Sequence, residues 1–253
     1  MGLQNLRDAF TGLVRNDARR HSSALSRAGL PGQHHKTAGW LTLAFGAAAL
    51  AIDPSFALGS LGAYMIWRSA GQGQNIDHGN MAGFIGTWPM VAHFAMSGDW
   101  PAVLQATVGG ARAGAVVAIG DYRHQTRAAI SILFGIAGAA IYSTYVPMDN
   151  MLDRLPLAAL FFSSAGSAFA KSRQKWGLLC YMGTASSLGA YFALSENGSW
   201  PGLTLNIVNG AMMTNIALRR DWSMGGWNPL YDPKAFEEPP EKAGEKLQVE
   251  SPK

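Results

Sequence analysis

Apolar stretches separated by short polar or glycine-rich breaks run from residue 37 to residue 218, near 37–52, 55–70, 80–97, 102–120, 128–146, 155–171, 176–194 and 200–218. A helix that crosses the hydrocarbon core needs about 20 mostly apolar residues, and several of these stretches are at the short end. Asp53-Pro54 is all that separates the first two, a favourable N-cap and first-turn pair for the second helix. The pattern predicts an all-α, polytopic transmembrane bundle of about eight spans.

The stretches repeat each other. Gly86-Thr87, Ala92-His93-Phe94-Ala95, Trp100-Pro101 and Val108-Gly109-Gly110-Ala111 are matched in order by Gly183-Thr184, Ala190-Tyr191-Phe192-Ala193, Trp200-Pro201 and Val208-Asn209-Gly210-Ala211. The offset drifts from 97 (183 against 86) to 100 (200 against 100), as a duplication with small loop insertions would give. A weaker echo joins Leu43-Ala44-Phe45-Gly46 to Ile132-Leu133-Phe134-Gly135. The expected organisation is a basic segment over 1–36, a first membrane repeat over 37–120, a second over 121–220 and a disordered cytoplasmic tail over 221–253. Four spans per repeat is an even number, so the repeats lie parallel about an axis along the membrane normal.

Charge sets the orientation. Only 14% of the 253 residues are charged, and every Asp and Glu lies in a tail or between apolar stretches. With both termini cytoplasmic, all Lys and Arg fall on the inner side except Arg154, in an outer loop, and Arg112, inside a span. This is the asymmetry of the positive-inside rule. A seven-span variant would strand the basic residues of the N-terminal segment outside. The net charge of +4 is a topological signal and not a nucleic-acid footprint. Residues 1–36 have no signal-peptide core. Leu3, Leu6, Phe10, Leu13 and Val14 recur at helical spacing beside Arg7 and Arg15. That spacing fits an amphipathic helix on an anionic membrane surface, and equally a disordered basic tail that only sets topology.

The segment from about Gly59 to Trp222 resembles the YgjV family of bacterial inner-membrane proteins. The resemblance rests on His93-Phe94 followed by Trp100-Pro101, on Ala111-Arg112, on Arg173 before Cys180-Tyr181, on Gly198-Ser199, and on Asn209-Gly210 before Arg219-Arg220. It implies an inner-membrane location and this topology, and no particular chemistry. The layout is also distantly similar to the PQ-loop and SWEET-type transporters, built from parallel repeats. It departs from them in lacking a Pro-Gln pair in any span and in carrying an additional N-terminal span.

Five residues are candidates for a substrate site: Arg112, His93, Gln105, Asn206 and Asn209. Arg112 lies about 12 Å of helix from either end of its span, too deep to snorkel easily, and a charge there faces a cavity or a partner. No carboxylate lies in any span, so carbonyls, polar side chains, water or an anionic ligand must face it. His93 is matched by Tyr191 in the repeat, which points to an aromatic hydrogen-bonding group at that site. Asn206 and Asn209 share a helix face, with Asn215 beyond them and Gln105 and Thr107 in the partner helix. The alternative role for these amides is interhelical hydrogen bonding. Trp100-Pro101 and Trp200-Pro201 read as interfacial anchors at helix starts.

The single Cys180 excludes an intramolecular disulfide. Phosphate-loop, zinc-protease and nucleophile-elbow motifs are missing, so neither an enzyme nor a cofactor or metal is expected. Two functions remain. One is a transporter of a small solute, with anions among the candidates, and with a site between the repeats. The other is a non-transporting scaffold or accessory subunit. The partners expected are the lipid bilayer, a small solute, and a homo-oligomer or membrane-complex subunit, with no nucleic acid.

Overall fold

The computed structural model describes residues 2–27, 34–70, 76–119, 124–169 and 174–219. The expected tail over 221–253 lies outside them, as do residues 72–75 of the polar Gln72–Asn80 loop and the side chains of Met212 and Asn215. Within the described residues the chain is all-helical. The helices are α1 (Gly2–Arg27), α2 (His35–Ile52), α3 (Pro54–Ala70), α4 (Ile76–Met96), α5 (Trp100–Ile119), α6 (His124–Tyr145), α7 (Arg154–Phe169), α8 (Gln174–Leu194) and α9 (Trp200–Arg219). Eight of them follow the apolar stretches, and the ninth is the N-terminal segment. Ile76–Asn80, expected as loop, forms the start of α4.

Three of these helices are long and apolar enough to cross a membrane, over Trp100–Ile119, Gln125–Tyr145 and Lys175–Leu194. Their burial is one-sided. On α6, Ser131, Gly135, Gly138 and Tyr142 face inward while Ile132, Leu133 and Ile136 are exposed. Apolar residues on both faces, with small ones inside, are what a helix packed on protein and bathed in hydrocarbon requires.

Six helices close into a ring. α3 packs on α4 and α4 on α5, α7 packs on α8 and α8 on α9, and the two rows meet where α5 touches α7 and α9 touches α3. The core inside draws on every member: Ile66 of α3, Met90 and Phe94 of α4, Ala102 and Ala106 of α5, Ala159 of α7, Leu188 and Phe192 of α8, and Leu203 of α9. α6 lies outside the ring across α5 and α7, and α2 lies against α3.

α1 settles the question left open at the N-terminus in favour of a helix, and one docked on protein. Leu6, Ala9 and Leu13 pack with Met81, Ala82 and Val117 against α4 and α5, and Asn5 Nδ2 donates to the Ala118 carbonyl at 3.0 Å. Leu3, Phe10 and Val14, on the flank of the same stripe, stay exposed, so α4 and α5 cover the apolar stripe only in part.

The tightest joint is between α3 and α4. A Cβ on Gly62 would stand 2.6 Å from the Gly86 carbonyl oxygen, and one on Gly86 would stand 2.9 Å from that of Gly62. Backbone meets backbone here, and no side chain can yield. Gly62→Ala or Gly86→Ala should therefore lower stability by about 1–3 kcal/mol, the usual cost of overpacking. Gly109→Ala, where the added carbon meets nothing within 4 Å, should cause no loss. Thermal unfolding of the three purified variants in one detergent checks this.

Candidate functional site

α5 and α9 are capped alike, and each cap is held crosswise from the other half. α4 ends in a Schellman motif: Gly98 takes φ +73°, its amide bonds the Ala95 carbonyl, and the Asp99 amide bonds that of Phe94. Asp99 then caps α5, its Oδ1 accepting from the Ala102 amide at 3.1 Å. Ser199 caps α9 in the same way, its Oγ accepting from the Gly202 amide at 3.0 Å. Both caps stand directly before a Trp-Pro pair that opens the helix.

Each cap is held by an aromatic side chain from the other half. The Tyr191 hydroxyl of α8 donates to Asp99 Oδ1 at 2.6 Å, and His93 Nε2 of α4 pairs with Ser199 Oγ at 2.7 Å. His93 and Tyr191 are the matched positions of the repeat, and so are Asp99 and Ser199. The other ring nitrogen of His93 lies 2.9 Å from both the carbonyl and the hydroxyl of Ser55 on α3. A carbonyl can only accept, so Nδ1 carries the proton and donates to it. Nε2 is then the acceptor, and the Ser199 hydroxyl donates to it. Between the two exchanges Phe94 and Phe192 stack at 5.4 Å, inclined by 16°.

Asp99 is 1% exposed, and its Oδ2 has no hydrogen-bond partner among the described residues. Burial raises its pKa, and the bonds from Tyr191 and Ala102 offset this only in part. An acid in a short polar break, which reads as solvated in the sequence, is thus enclosed between helix ends.

Arg112 lies elsewhere, in the second half of α5 where that helix meets α7. Its Nη1 donates to Ser163 Oγ at 3.0 Å and Ser164 Oγ at 2.9 Å. The Ser163 hydroxyl in turn donates to the Leu160 carbonyl at 3.1 Å. Both hydroxyls are neutral, and Tyr181 of α8 lies close enough to act on the guanidinium electrostatically. A further hydroxyl contact, Ser131 to Ser167 at 2.9 Å, continues the polar seam from α7 to α6.

The remaining candidates stand apart. Asn206 Nδ2 donates to the Gly202 carbonyl of its own helix at 2.8 Å, so that bond holds no neighbour. Asn209 has a buried Oδ1 without a partner among the described residues, and Gln105 is half-buried. No hydrogen bond among the described residues joins any two of the five. Sequence reasoning missed Asp99, Ser199 and the Ser163-Ser164 pair. The first two were detectable as Asp and Ser in the N-cap position before Trp-Pro. The serines carry no such signal. His/Cys/Asp/Glu clusters able to hold a metal are lacking among the described residues.

No family model matches the chain, and no curated protein or solved structure does either.

Because the folded state raises the Asp99 pKa, it binds more proton than the unfolded chain between the ordinary carboxylate value and the raised one. This group's contribution is therefore fullest at low pH and is lost as pH rises through that window. Asp99→Asn keeps a good cap and removes the titration. Its thermal midpoint should vary less with pH across the window than that of the unmodified protein. Asp99→Ala, which also loses the cap, should be about 0.5–2 kcal/mol less stable throughout.

Proposed function

We propose that this is a multi-pass protein of the bacterial inner membrane, with both termini cytoplasmic and eight spans in two parallel four-helix repeats, that moves a small anionic solute between its halves. The observation that carries the proposal is the Arg112 guanidinium, seated where α5 of one half meets α7 of the other and bonded to uncharged serine hydroxyls. A cation buried with neutral partners leaves its charge uncompensated, and an anion entering the seam supplies what is missing.

The helix contacts support two moving halves. α3, α4 and α5 pack more extensively among themselves than α3 does on α9 or α5 on α7, and α7, α8 and α9 do likewise. Each row can then tilt as a body while the seams between them open. α2 and α6 complete the two repeats, in keeping with the echo between their sequences. The exposed apolar side chains, including Trp40, Trp100 and Trp200, fit a lipid-facing surface with aromatic residues at its borders. The resemblance to the YgjV family agrees with location and topology and is silent on the solute.

A second reading has its own support. The Ser163 hydroxyl is held by the Leu160 carbonyl, so the arginine contact is organised without a ligand, as it would be in a scaffold that transports nothing. The two readings part under mutation. For a transporter, small anions should raise the thermal midpoint of the purified protein, and Arg112→Ala should abolish that rise and uptake into proteoliposomes while the protein still folds. For a scaffold, no anion shifts the midpoint, and Arg112→Ala is itself destabilised by about 1–3 kcal/mol through the loss of a buried bonded group.

A further inference from the structure

The seam between α5 and α7 is covered. α6 lies across it, close enough that a Cβ on Gly138 would stand 2.6 Å from Val108 and one on Gly135 would stand 2.9 Å from Ser164. The equivalent seam, between α9 and α3, is open. It holds a groove of about 440 Å³ lined by Phe56, Ala63 and Tyr64 of α3 and Trp200, Leu205 and Val208 of α9. Val208 is the repeat counterpart of Val108.

The helix that corresponds to α6 is α2, and its sequence carries the same small-residue pattern. At the offset of 89 set by Gly46 and Gly135, Thr42 matches Ser131 and Ala49 matches Gly138. Yet α2 touches α3 and α1 and makes no contact with α9 among the described residues. A Cβ on Gly46 would meet nothing within 4 Å, and Trp40, Leu41 and Ile52 are exposed.

The connection explains why α2 stays out of its own groove. Residues 146–153 join α6 to α7, enough chain to turn back onto the seam. Asp53 alone joins α2 to α3, and it is held from both sides. Its amide bonds the Ala49 carbonyl at 2.9 Å, its carbonyl accepts from Ala57 at 3.0 Å, and its Oδ1 accepts from the Phe56 amide at 2.9 Å. A joint that short holds the helix away from its own seam and favours exchange between copies.

We infer that the groove between α3 and α9 receives α2 of a second copy of this chain, so that two copies exchange these helices about a two-fold axis. The interface is isologous, with each copy giving one helix and accepting one. Each exchanged helix is about 27 Å long at 1.5 Å per residue. The inference rests on the repeat correspondence and not on transport.

The α6 contact specifies the test. Gly138 and the Val108 side chain are in direct contact, so cysteines at their counterparts Ala49 and Val208 should come within cross-linking reach across the dimer. In a Cys180→Ser background, one tagged copy carrying Ala49→Cys is co-expressed with a differently tagged copy carrying Val208→Cys, and the membranes are oxidised. The expected result is a mixed-tag covalent species of twice 26.9 kDa, several-fold stronger than with either cysteine variant alone. The proposal is overturned if that species is missing and one chain carrying both cysteines cross-links internally, which would seat α2 in its own groove. It is also overturned if neither link forms, which would leave the groove to lipid. Native mass spectrometry of the unmodified protein in lipid nanodiscs guards against a misfolded variant: a single-copy mass overturns the inference, and a two-copy mass supports it.

Discussion

A helix that starts inside a packed protein has amide hydrogens that nothing in the helix itself can accept. Where water is scarce those donors must be met or the helix will not form there. α5 and α9 both begin against the closed end of the ring, and both meet the demand with a single side chain, Asp99 or Ser199. Each cap is oriented by an aromatic residue of the opposite half. Helix start and contact between the halves therefore share the same residues: the cap of α5 is bonded from α8, and the cap of α9 from α4. The ring, the Phe94–Phe192 stack and the seams that position Arg112 follow from that exchange.

The two exchanges share geometry and differ in chemistry. His93 with Ser199 is neutral when Nδ1 carries the proton, and its hydrogen bonds run in sequence from the Gly202 amide to the Ser55 carbonyl. Tyr191 with Asp99 contains a carboxyl group with one oxygen satisfied twice and the other left over. The matched positions thus share one geometry, while only one of the two caps is a carboxylic acid. Arg112 shows the same divergence, for its matched position is Met212.

Much of the architecture was legible because helices in apolar surroundings leave a strong periodic record. All eight apolar stretches became helices, and the match of His93 to Tyr191 named two residues with the same task. Reading the site was harder for physical reasons. Asp99 lies in a short polar break, where an acid is ordinarily hydrated, and only the packing of α8 over it removes the water. Ser163 and Ser164 look like any small residues of a tightly packed helix until Arg112 is placed beside them. At the N-terminal segment the helical spacing was legible, but spacing alone does not say which part of the apolar stripe meets α4 and α5. Asn206 and Asn209 were paired by their spacing, yet a side chain can as easily bond its own helix, as Asn206 does.

The crossing of the caps has a mechanical corollary. Had His93 and Tyr191 each gripped the cap within its own half, the halves would meet at this end through apolar contact alone. Because each grips the other's cap, parting them at this end breaks both holds and exposes the starts of α5 and α9 together. Two hydrogen bonds of about 0.5–1.5 kcal/mol each, or more where the acceptor is charged, resist as a unit. This end of the ring is thereby fastened twice, once from each half to the other.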